Sequence, residues 1–152
     1  MKVRVKSTGA LKRFSQTIPK RKVEVVAGVF SGATNNETGQ KVASYAQMLE
    51  FGTKNMPARP FMRQTAKKCS REWKTQIREG VRALGLEQSE KVLDQVGRMM
   101  AKDIVSTIRD GQFAPLDEKT VKAKARKGRP EPKTPLIDTT SLIKSIGSEV
   151  RK

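Results

Sequence analysis

Residues 45–62, YAQMLEFGTKNMPARPFM, decide the reading of this chain. A short amphipathic helix meets a glycine stop, and a proline-bracketed arginine then launches a much longer helix. Val42, Tyr45, Ala46 and Leu49 fall at i, i+3, i+4 and i+7, so they line one helical face. Gly52 follows Phe51 where a helix needs a left-handed residue to stop. Pro57 and Pro60 fix φ on either side of Ala58-Arg59, and Pro60 pushes Arg59 out of the helical region. Such a build is tightly constrained, and it points towards assembly rather than catalysis.

On the carboxyl side of that corner, a helix is expected from Phe61 or Met62 to Leu84. Thr65, Cys69, Trp73, Ile77 and Val81 or Leu84 share one stripe, and Gly85 ends it. A third helix, from about Glu87 to Arg109, turns Val92, Leu93, Val96, Met99, Met100, Ile104, Val105 and Ile108 inward, with Asp110-Gly111 as its stop. Two helices of roughly six turns joined by so few residues form an antiparallel hairpin. Beyond them, Phe113 and Leu116 anchor a loop back onto the core. Asp117 caps a short basic helix over Glu118 to Lys127, which gives out at Gly128. GRPEPKTP (128–135) is too proline-rich for regular structure. Leu136 and Ile137 are core anchors. Asp138, Thr139 and Thr140 offer N-caps to a helix holding Leu142, Ile143 and Ile146, and a last strand follows from Ser148 to Lys152.

On the amino side, Lys22 to Phe30 alternates as a strand, with Val23, Val25, Ala27 and Val29 on one face. SGATNNETGQ (31–40) reads as a turn-rich loop without a core residue, a flexible insertion. Residues 1–22 read as an edge strand or arm (Val3, Val5) followed by a basic loop, with disorder until assembly as a further expectation. The expected fold is therefore α+β and a single domain over 1–152. A small antiparallel sheet from the N- and C-terminal strands packs on the long helix pair, with short helices added.

Apolar residues make up 36% of the chain and aromatics 5%, so the core is expected to be thin, with some apolar surface completed by a partner or by neighbouring copies. No apolar run approaches a membrane span, so no membrane partner is expected. The net charge of +17 is concentrated in three blocks: 1–22, 61–84 and 119–133. That field suits nucleic acid or an acidic protein surface. No histidine is present, which removes the usual neutral-pH acid–base and the commonest metal ligand. One cysteine, Cys69, cannot build a zinc site, and its place on an apolar stripe suits packing. No phosphate-cradling glycine motif occurs. We expect no catalytic residues, no metal and no cofactor.

Two separated blocks resemble one family. YAQMLEFGTKNMPARPFM (45–62) is similar to the YA…EFGT…PARPF segment of phage tail-completion proteins, the small neck or minor tail proteins of long-tailed phages. FAPLDEKTVKAKARKG (113–128) and PLIDTTSLIKSI (135–146) resemble that family's W-x-PLS…PLIDTG-x-L-x-x-SI segment. The blocks cover under a third of the chain. Phe113 stands in place of the family's tryptophan, Asp117 in place of serine and Thr140 in place of glycine. The order of the blocks is that of the lambda-type branch.

The resemblance implies a non-enzymatic virion protein, made in the host cytoplasm and placed in the neck, which completes the tail and enables head–tail joining. It implies contacts with the tail tube or terminator and the head connector, a homo-oligomeric hexameric ring, and possible contact with packaged DNA. The alternative is a small basic protein that binds nucleic acid without sequence preference. Tyr45, Phe51, Gly52, Pro57, Pro60, Phe61, Asp138 and Leu142 form the structural motif. Glu50 and Arg59 flank the corner and either pair across it or contact a neighbouring subunit. Phe51 and Phe61 are expected as core plugs, and Trp73 under the sheet. Lys119, Lys122, Lys124, Arg126, Lys127, Arg129 and Lys133 are the candidates for contacting DNA or an acidic ring, against the plainer reading of a solvated loop.

Overall fold

The computed structural model describes residues 23–30, 32–35, 37–129 and 131–152; the basic arm, 1–22, lies outside them. The chain is α+β. Strand β1 (Glu24–Val29) is followed by helices α1 (Val42–Phe51), α2 (Phe61–Leu84), α3 (Ser89–Asp110), α4 (Glu118–Arg126) and α5 (Ser141–Lys144), and by strand β2 (Ile146–Arg151). A single 3-10 turn, Leu86–Gln88, joins α2 to α3, so the two long helices lie side by side as the expected hairpin.

The strands pair antiparallel, from Glu24 opposite Arg151 to Val29 opposite Ile146. Their sheet rests on α3, and α2 covers another side of that helix. Gly97 makes the close approach possible, since a Cβ there would lie 2.8 Å from Val25 Cγ2 and 3.0 Å from Ser148. Trp73 is accordingly placed against α3 rather than under the sheet. It is half-buried, and its indole Nε1–H donates to Asp103 Oδ2 at 2.7 Å. Cys69 is half-buried on the same inward stripe, where burial raises its thiol pKa and keeps it in the less reactive protonated form.

The main core lies at the far end of the hairpin. Val42 and Ala46 of α1, Phe61 at the start of α2, Ile104 and Ile108 of α3, Ile137 and Leu142 pack into one buried cluster. The loop expected as a free insertion is tied into it. Ala33 packs on the cluster, Val42 N donates to Ala33 O at 2.9 Å, and Asn35 Nδ2 reaches Thr139 Oγ1 at 3.4 Å. Its polar composition hid these anchors, because two of them use backbone and amide groups and the third is a lone alanine.

The carboxyl-terminal segment departs from expectation. Its helix is a single turn, and Ile146 already belongs to β2. Asp138 caps nothing there; it accepts from Arg129 Nε at 3.0 Å. Thr139 Oγ1 accepts from Ser141 N at 3.4 Å instead. Thr140, which stands where the resembling family has glycine, keeps the glycine-like conformation at φ 60°.

Candidate functional site

The corner between α1 and α2 is built by one buried carboxylate. Pro60 occupies the position before α2 and has no side-chain acceptor to offer the first-turn amides. Glu50, 6% exposed, supplies it from the end of α1. Its Oε2 accepts from Met62 N at 2.9 Å and its Oε1 from Arg63 N at 3.1 Å. These are the second and third amides of α2, the donors that a local N-cap serves. The carboxylate also meets the positive end of the helix dipole. Arg63 closes the arrangement, donating from Nε to Glu50 Oε1 at 3.0 Å and from Nη2 to the Glu50 carbonyl at 2.7 Å.

Glu50 and Arg59 therefore do not pair across the turn. Arg59 is 4% exposed and faces the other way. Its Nε donates to Ala114 O at 3.0 Å and its Nη2 to Pro115 O at 3.1 Å, while its own amide donates to Leu49 O at 2.7 Å. Pro60 holds Arg59 outside the helix, and this leaves the guanidinium free to span 55 residues of sequence to the FAPL loop. Burial lowers its pKa without unseating the charge from those carbonyls.

Gly52 ends α1 at φ 77°, and a Cβ there would sit 2.8 Å from Ala58 N. Thr53 and Met56 then exchange backbone hydrogen bonds at 2.9 and 3.2 Å to close the turn, with Pro57 exposed beyond it. Phe61 is 1% exposed, as expected of a core plug, but Phe51 is 64% exposed. The reason is helical phase: Phe51 lies about 160° around α1 from Leu49, on the side away from the core. There the Arg63 guanidinium carbon stands 4.9 Å from its ring centroid. Met48 is exposed beside it.

The basic block 119–133 divides. Lys124 is 7% exposed, with Nζ donating to Thr134 O at 2.8 Å and also to Ile137 O. It pins the PLID segment rather than facing a partner, and burial lowers its pKa. Arg129 bonds Asp138 and Glu37. Lys122 pairs with Glu118 at 3.6 Å on the surface. Lys119, Arg126, Lys127 and Lys133 are exposed. Asp117 caps α4 as expected, its Oδ1 accepting from Lys119 N at 2.8 Å.

Between α1, α4 and the PLIDTT segment lies a cleft of about 380 Å3, walled by Tyr45, Leu49, Met56, Leu136 and Leu142 with Arg59 and Lys124 among its lining. Leu136 (φ 66°) and Thr140 (φ 60°) both hold left-handed backbone at its edge. Chemically, the cations fasten carbonyls and the walls offer apolar contact. Among the described residues, no group of three His, Cys, Asp or Glu side chains is placed to hold a metal ion. No helix among them is long and apolar enough to cross a membrane. No family model matches the chain, and neither the curated proteins nor the solved structures yield a match.

Sequence reasoning missed the roles of Glu50 and Lys124, yet both left a signal. A long helix that begins at proline with no Ser, Thr, Asp or Asn before it must find its cap elsewhere. Lys124 lies three residues after Val121 on the inward face of α4, a place that a solvated lysine avoids.

Proposed function

We propose that this chain is a non-enzymatic structural protein of a phage neck, which completes the head-proximal end of a tail and allows it to join a filled head. One observation carries the reading. Arg59 of the PARPF corner bonds the Ala114 and Pro115 carbonyls, and Lys124 of the following helix bonds Ile137 O. The two blocks that resemble the tail-completion family are thus one interlocked unit, in which buried cations serve as fasteners. Its chemistry is that of a scaffold.

The proposed assembly is a ring of six copies between the tail tube or terminator and the head connector, in the virion. A closed ring needs two different surfaces on each copy. The exposed Phe51–Met48 face and the apolar cleft lie on different sides of α1 and are suited to that use. Electron microscopy of particles assembled without this protein tests the proposal. Separate filled heads and finished tails are expected; normal joining in its absence would reject the role.

A further inference from the structure

We infer that the outer face of α2 is a docking ridge for the phosphate backbone of duplex nucleic acid. Arg63, Lys67, Arg71, Lys74, Arg78 and Arg82 succeed one another at three- or four-residue intervals, and all six are exposed. At 100° per residue they fall within an arc of about 100° and extend over about 28 Å of helix. The core-facing residues Phe61, Thr65, Cys69 and Trp73 lie on the other side. The two acidic residues of the helix, Glu72 and Glu79, stand more than about 100° away from the centre of the ridge. Glu72 accepts from Gln76 at 2.9 Å.

The ridge is also unspent. Arg63 is held by Glu50, but among the described residues Lys67, Arg71, Lys74, Arg78 and Arg82 have no ion-pair or hydrogen-bond partner for their side chains. The block 119–133 differs in this respect, because Lys124, Arg129 and Lys122 are already engaged. Strong charge without neutralisation is costly to keep on a chain of +17 unless a polyanion releases counterions on binding.

A phosphate backbone fits this face better than an acidic protein. Protein interfaces centre on buried aromatic or apolar anchors. The ridge itself carries no aromatic side chain and is bordered by Gln64, Ser70 and Thr75; the exposed Phe51 ring meets it at its Arg63 end alone. The same lack argues against single strands, whose bases need stacking platforms. The inference is compatible with DNA passing through a neck ring but does not depend on it. Head–tail joining can fail or succeed independently of the binding measured below.

The test compares two triple variants that lose the same charge. One is Lys67→Gln, Lys74→Gln and Arg78→Gln; the other is Lys119→Gln, Arg126→Gln and Lys133→Gln. Binding of the full chain to a labelled 20-base-pair duplex of scrambled sequence is followed by anisotropy from about 50 to 300 mM salt, a range over which phosphate contacts lose most of their affinity. The ridge variant should bind at least about tenfold more weakly at 0.1 M, and its plot of log K against log salt should be shallower by about 2.7, from three lost contacts. The control should change far less.

Unaltered thermal melting would confirm that both variants fold, and on the wild type a bound duplex should shield Lys67 and Lys74 from acetylation but not Lys119 and Lys133. Equal losses in the two variants would overturn the inference, since net charge alone would then explain binding. Failure to bind duplex, or equally tight binding of poly-glutamate at matched charge, would overturn it as well.

Discussion

Glu50 shows how one side chain can set the angle between two helices. Its carboxylate is buried, bonded to two amides and paired with Arg63, so removing it strands two donors at the positive end of α2. Glu50→Ala should therefore destabilise the fold by about 2–3 kcal/mol. Urea denaturation measures this, and a loss below about 0.5 kcal/mol would mean that water replaces the cap. Thr140 presents the opposite case. A β-branched residue held at φ 60° is strained by about 1–2 kcal/mol, part of which glycine gives back through its freer unfolded chain. Thr140→Gly should raise stability by about 0.5–1 kcal/mol in the same assay.

At the level of elements, the corner between α1 and α2 carries two phenylalanine-linked predictions that separate packing from assembly. Phe61→Ala, immediately after the corner, empties a fully buried site and should cost about 3–5 kcal/mol. Phe51→Ala, on the exposed side, should change thermal stability by less than about 1 kcal/mol while impairing head–tail joining in reconstituted particles. Full joining by the Phe51 variant would remove that face from the proposed interface. The contrast also marks what periodicity can reveal. Val42, Ala46, Ile104 and Ile108 were legible as core because apolar spacing repeats at the helical period. The hairpin of α2 and α3 was legible for the same reason, while β1 was legible from its alternation at a period of two. Phe51 follows Glu50 in a motif, and motif membership says nothing about phase. The partners of Arg59, Lys124 and Arg129 were hidden because each is a backbone carbonyl or a distant carboxylate. A carbonyl leaves no trace in residue type, and a carboxylate does not show which distant cation it meets.

Across the whole molecule, charge and thin packing oppose each other. Copies carrying +17 repel at long range, while the exposed Phe51 face attracts only on contact. Screening shortens the repulsion from a reach of about 10 Å at 0.1 M salt to about 3 Å at 1 M. Light scattering after size exclusion should accordingly show a larger species at high salt than at low salt. A mass that falls with salt would indicate that attraction between opposite charges, not apolar contact, holds the copies together.

The pairing of Glu24 with Arg151 has a temporal consequence as well. The two long helices can close on each other while translation is still under way, because their contacts are local. The side of α3 around Gly97 waits for residues 146–151, whose partner strand was made more than a hundred codons earlier. Until the ribosome delivers them, that stripe stays bare. A nascent chain stalled shortly before residue 146 should therefore be a better chaperone client than the finished protein, a difference that crosslinking on arrested ribosomes can register.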